Sequence, residues 1–215
     1  RKAEIGEDKV YDFSLGNPSI PAPPQVEAAI REALSTMPSL ALHGYTTAAG
    51  DVAARQAIAD DLNARFGTDI TPGELFLGCG AAPELVAVLS ALAVPGGEAL
   101  AVAPYFPEYK PFAESAGLTF RAVQPDVPGF QIRLSELEKM LNVHTQAVII
   151  DSPNNPSGTV YSRETLQALS EILTRKSVEF GHPIYLISDE PYRELVYDGI
   201  EVPFVPCIYR DTIVC

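Results

Sequence analysis

The sequence predicts an α/β fold, a doubly wound and mostly parallel sheet with helices on both faces. From residue 74 onward, apolar runs of strand length alternate with helical patterns. Several of these runs, such as Ala147-Val148-Ile149-Ile150, are continuously apolar rather than alternating, as in strands covered on both faces. The 19 prolines stand singly or in short groups between the runs and mark the element boundaries.

In chain order, the segment up to residue 42 starts polar and passes Asn17-Pro18 and the prolines at 21, 23 and 24. Val26, Ile30 and Leu34 then fall on one helical face. Pro23 and Pro24 suit the opening turn of that helix, where a missing N–H costs nothing. Residues 44–50 read as loop and 51–66 as an amphipathic helix carrying Val52, Ile58, Leu62 and Phe66. Strands are predicted over 74–77, 99–103, 118–123, 147–150, 184–188 and 212–215, and helices over 83–93, 107–116, 134–141 and 163–178.

Composition narrows the function classes. With 47% apolar and 20% charged residues the 215-residue chain builds a packed core. Fifteen Lys and Arg against 28 Asp and Glu give a net charge of −13, which repels phosphate backbones and anionic lipid and argues against nucleic-acid or membrane partners. Cys79, Cys207 and Cys215 form no CxxC pair, pointing to a reducing, cytoplasmic setting. The longest apolar stretch, 85–94, is short of a bilayer span, and the charged start leads into no signal-type segment. His43, His144 and His182 share no metal spacing, and GxSxG is absent, so neither a metal centre nor a serine hydrolase is expected.

Ligands of open parallel sheets bind beyond the carboxyl ends of the strands. Four such ends stand out. Gly78-Cys79-Gly80-Ala81-Ala82-Pro83 follows the first predicted strand; small residues opening a helix let an anion approach backbone amides, and serve a tight turn equally well. Pro104-Tyr105-Phe106-Pro107 puts aromatic rings at the next end, for packing or for the face of a planar cofactor. Ser152-Pro153-Asn154-Asn155-Pro156-Ser157-Gly158 has ordinary turn chemistry, yet two adjacent amides between prolines also make rigid donors. Ser188-Asp189-Glu190-Pro191-Tyr192 ends a buried strand on a carboxylate, which needs donors or a cation. It is either a helix N-cap before a turn over 192–196 or the partner of a heteroaromatic N–H+. A dinucleotide site fits poorly, because Pro83 stands where the third glycine of G-x-G-x-x-G belongs and Glu98 precedes its strand.

In this order the strings resemble the fold type I pyridoxal-phosphate-dependent aminotransferases, the aspartate aminotransferase family, from Leu15-Gly16-Asn17-Pro18 to the strand ending at Cys215. The resemblance implies an N-terminal arm and helix (1–42) belonging to a small domain. It also implies a cofactor-binding large domain (43–215), incomplete at its C-terminus. Asp189 would pair with the pyridine nitrogen of pyridoxal 5'-phosphate, and Tyr192 and Asn155 would hydrogen-bond its phenolic oxygen. Phe106 would stack on the ring, and the backbone at Ala81 and Ala82 would hold the phosphate. Tyr45 would reach the phosphate of the other subunit in a homodimer, while Gly16 and Asn155 would lie near the substrate carboxylate.

The implied activity is transfer of an amino group from an amino acid to a 2-oxo acid by a ping-pong Schiff-base mechanism in amino acid metabolism. Alternatives are a carbon–sulfur lyase or other fold type I enzyme, or a non-catalytic effector-binding domain. The lysine of this chemistry stands in a Ser-x-Ser-Lys string shortly after the strand that here ends at Cys215. Lys2, Lys9, Lys110, Lys139 and Lys176 have no matching context. Residues 1–215 are therefore expected to lack that lysine and the carboxylate-binding arginine, and to be inactive alone.

Overall fold

A computed structural model describes residues 1–11, 16 and 20–215, which fall into two compact units, Arg1–Ala48 and Ala49–Cys215. Leu15, Asn17 and Pro18 of the N-terminal string lie outside the described residues.

The first unit contains α1 (Lys2–Ile5), α2 (Pro24–Thr36) and α3 (Ser39–His43). As the proline placement predicts, Pro24 opens α2 and Pro23 precedes it. The stripe of Val26, Ile30 and Leu34 is exposed.

The second unit starts with α4 (Val52–Phe66). The Asp51 carboxylate accepts from the Ala54 N–H at 2.9 Å at its start, and Gly67 closes it at φ 67°. The strand expected over 74–77 does not form. Pro72–Glu74 is instead a 3-10 turn closed by Thr71 and Glu74, each bonded to the other. Leu77 then donates one backbone bond to Ala49, and Phe76 is exposed. The apolar triplet at 75–77, with Leu75 and Leu77 half-buried, thus lacks the ladder that makes a strand.

Next come α5 (Ala81–Leu92), β1 (Glu98–Val102), α6 (Tyr109–Ser115), β2 (Thr119–Val123), α7 (Leu134–Met140), β3 (Thr145–Asp151), α8 (Arg163–Phe180), β4 (Tyr185–Asp189) and β5 (Thr212–Val214). The five strands form one parallel sheet in the order β2-β1-β3-β4-β5. The chain winds outward from β1 to β2, then crosses back to β3 and continues to β5. This reversal puts a crevice beyond the carboxyl ends of β1 and β3.

Strand side chains alternate between two helical layers. Leu100, Val148, Ile150 and Leu186 pack with Leu137, Leu166, Leu169 and Leu173 of α7 and α8. Ala99, Ala101, Ile149 and Ile187 pack with Leu85 and Leu89 of α5 and Tyr109 and Ala113 of α6. Each fully buried leucine contributes about 2 kcal/mol of apolar transfer, which holds the strand ends rigidly in register. Among the described residues no helix is long and apolar enough to cross a membrane.

Candidate active site

The crevice is a cleft of about 200 Å³ at the carboxyl end of the sheet. The structure brings six of the expected residues to it: Ala81, Ala82, Phe106, Asn155, Asp189 and Tyr192, with Asp151 and Pro191 alongside. Gly16 and Tyr45 belong to the first unit, where both are exposed.

One wall is the start of α5. Gly80 precedes it at φ 104°, a conformation that disfavours any side chain, and no side chain caps the helix. A Cβ on Gly78 would stand 1.4 Å from Oε1 of Glu84, so a side chain there requires the Glu84 carboxylate to swing aside. The first N–H groups of this 12-residue helix, at Ala81 and Ala82, have no intrahelical partner and face an anion-favouring dipole end.

The floor is made by the last residues of β3 and β4. Asp189 is 5% exposed, accepts the Tyr109 hydroxyl at 2.5 Å on Oδ2, and leaves Oδ1 without a partner. Burial pushes its carboxyl above the usual range; the Tyr109 bond opposes this, and the charge of Glu190 adds to it. Glu190 itself accepts from Arg193 at 2.6 Å and from the Ser188 hydroxyl at 2.7 Å. Burial first, then the negative charges of Asp151 and Asp189, push the Tyr109 hydroxyl far up, so it stays a donor. Asp189 is not a helix N-cap: residues 191–194 form consecutive turns.

Asp151, beside Asp189 in the β3–β4 register, is 3% exposed. Its Oδ2 accepts the Asn155 backbone N–H at 2.7 Å, and its Oδ1 has no partner. Burial pushes its carboxyl up to about 7 against the Asn155 bond.

The two asparagines after β3 divide their work. Asn154 is buried; its Nδ2 donates to the Pro104 carbonyl at 3.1 Å, and its Oδ1 accepts from the Ser157 N–H and hydroxyl at 3.0 and 2.6 Å. It ties the loop after β3 to the loop after β1. Asn155 faces the cleft instead, with Nδ2 3.5 Å from the Tyr192 hydroxyl. Phe106 packs edge-on against Tyr109, ring centroids 5.6 Å apart, which fixes it at the mouth.

Sequence reasoning missed two groups here. Tyr109 lies in a helix on one sheet face, and its bond to Asp189 spans 80 residues. Asp151 obeys the same strand-end rule that singled out Asp189, but it opens a turn string. Among the described residues no cluster of three or more His, Cys, Asp or Glu is placed to hold a metal.

The sequence model of the family described as aminotransferase class I and II matches residues 8–209. The aspartate aminotransferase of Thermotoga maritima is 36% identical over 194 residues, covering 89% of this chain and 48% of the relative. A probable aspartate/prephenate aminotransferase of Thermus aquaticus is 32% identical over 192 residues, 87% of this chain and 46% of that protein. Among solved structures, an aminotransferase from Eubacterium rectale superposes with a TM-score of 0.95 at 52% identity, covering 100% of this chain and 54% of the other. The Thermotoga maritima aspartate aminotransferase structure gives 0.85 at 32% identity, with 99% and 55% covered. The chain spans about half the length of the curated relatives it matches.

Proposed function

The chain belongs to the class I and II aminotransferase family, and from that premise we propose that the complete protein is a pyridoxal-phosphate-dependent transaminase moving an amino group from an amino acid to a 2-oxo acid. The observation that carries this is the unpartnered Oδ1 of Asp189, a buried acceptor in a cleft bordered by the start of α5. Such an oxygen fits a ring N–H+ and is costly otherwise. The other residues fit the rest of the group: amides at Ala81 and Ala82 for a phosphate, Asn155 and Tyr192 as donors to one oxygen, and Phe106 as a ring face.

When bound, pyridoxal phosphate supplies an aldehyde that captures amines and a protonated ring that accepts electrons from the substrate α-carbon. The protein's own residues do the remaining work. Asp189 keeps the ring nitrogen protonated, Tyr109 holds that carboxylate by its Oδ2, and Tyr192 with Asn155 fixes an anionic oxygen. The dipole of α5 and its first amides hold the phosphate. No string within residues 1–215 matches that of the family's lysine, and we assign these residues alone no turnover. The same reading makes 1–42 part of a small domain and 43–215 most of the cofactor domain. Gly16 and Asn155 then serve the substrate carboxylate, and Tyr45 serves the phosphate across a homodimer in the cytoplasm.

The test uses the complete protein with pyridoxal phosphate. The expected result is a visible absorbance band, fixable by borohydride, bleached by an amino acid and restored by a 2-oxo acid. No band, or one indifferent to amino acids, refutes the reading. Asp189→Ala should slow α-deuterium exchange by about 10²-fold or more while weakening phosphate-dependent binding far less. Equal losses would leave Asp189 a purely structural residue.

A further inference from the structure

We propose that Asp151 is a second working carboxylate of the cleft, holding a proton until a ring N–H+ docks on Asp189 and releasing it then, so that cofactor binding and proton release are linked. This rests on the cofactor reading above.

Asp151 and Asp189 are the terminal residues of adjacent parallel strands and register partners, so their side chains leave the same side of the sheet from Cα atoms about 4.8 Å apart. Both are more than nine-tenths buried, both border the cleft, and each has one oxygen without a hydrogen-bond partner. The groups facing Asp151 are Asp189 from β4, the Tyr109 hydroxyl from α6, the Tyr161 hydroxyl and the Asn155 backbone N–H. Asp189 in turn faces Tyr109, Glu190 and the Cys215 thiol. The cation nearest this set in the hydrogen-bond network, Arg193, is engaged by Glu190. Among the described residues neither Asp151 nor Asp189 takes part in an ion pair.

Two adjacent buried carboxylates without a cation do not both ionise. The pair therefore keeps one proton, and its titration belongs to both members. Each carboxylate takes one donor, the Tyr109 hydroxyl on Asp189 and the Asn155 backbone N–H on Asp151. A ring N–H+ needs Asp189 ionised, so in the form that binds it the shared proton sits on Asp151, in line with a carboxyl pushed up to about 7. A ring N–H+ docked on Asp189 reverses the local field and stabilises ionised Asp151. Its O–H bond then breaks heterolytically and the proton passes to solvent, with no redox change. At acidic pH a neutral Asp151 adds nothing to cation binding. As pH rises through 7 the ionised carboxylate adds attraction, so affinity climbs.

The probe is pyridoxine 5'-phosphate, which carries the ring and phosphate without an aldehyde and so needs no lysine. Its binding to the complete protein is measured by calorimetry from about pH 5.5 to about pH 8.5 for wild type, Asp151→Asn and Asp189→Asn. The amide of Asp151→Asn still accepts the Asn155 N–H, and the ligand's own ionisations cancel in the ratio. The wild-type to Asp151→Asn affinity ratio is expected near one at the acid end and about threefold or more at the alkaline end. Near pH 6, buffer-dependent heats should show proton release from the wild type that the variant lacks. A flat ratio overturns the linkage alone. Absence of saturable binding by the wild type overturns the cofactor reading and the linkage with it, and proton release on binding that persists in Asp189→Asn overturns the linkage. If Asp151→Asn fails to fold, infrared spectroscopy of the wild type decides: a protonated carboxyl band that disappears on binding supports the proposal, and its absence overturns it.

Discussion

The Tyr109 hydroxyl reaches Asp189 from inside the helical layer, and that one bond decides which carboxylate oxygen is left for a ligand. Tyr109→Phe keeps the ring packed between Phe106 and Tyr105 but leaves Oδ2 of Asp189 buried and unpaired. The expected cost is about 1–3 kcal/mol of stability, read by urea unfolding. The lost donor had favoured the ionised carboxylate, so Asp189 becomes easier to protonate and the acid limb of pyridoxine 5'-phosphate binding moves to higher pH. An unmoved limb would reduce Tyr109 to packing. Asp189 was legible in the sequence because a carboxylate ending an apolar strand must have a partner. Tyr109 was not, since a tyrosine in an amphipathic helix carries no mark of what its hydroxyl meets 80 residues away.

At the scale of elements, the five strands and their helices follow from runs of apolar residues broken by Pro and Gly, because both sheet faces are covered and no alternation is needed. The failed strand over 74–77 shows the limit of that rule: an apolar triplet becomes a strand only where a neighbour supplies the ladder. The segment still delivers the chain to Gly80, whose φ of 104° sets the first amides of α5 at the cleft. Gly80→Ala meets no atom within 4 Å, so its effect is conformational strain of about 1 kcal/mol. Affinity for pyridoxine 5'-phosphate should fall roughly 3- to 10-fold, while affinity for unphosphorylated pyridoxine stays unchanged. Equal losses for both ligands would place the phosphate elsewhere.

For the molecule as a whole, the Asp151–Asp189 pair ties stability to pH. The Asp151 carboxyl has an ordinary value of 3.8 and stands at about 7 in the fold, so between these values the folded state holds more protons than the unfolded one. Its contribution is fully present below pH 3.8 and is lost as pH rises through 7. Asp151→Asn does not titrate, so in the ligand-free protein its stability relative to wild type should rise between about pH 5 and about pH 8, by on the order of 1–3 kcal/mol. Parallel denaturation curves across that range would show that Asp151 is already ionised in the fold. The acidic molecule as a whole repels anions, and the start of α5 concentrates the local exception. The sequence by itself determined the layered parallel sheet, three chemically loaded strand ends, the small-residue start of α5 and the family, because apolar continuity, turn residues and strand-end polarity are local properties of the chain. Only the tertiary structure decided that β1, β3 and β4 are neighbours, that Asn154 ties loops while Asn155 faces the cleft, and that a second buried carboxylate stands beside Asp189. Those facts depend on strand order and register, which are settled by packing between residues far apart in sequence.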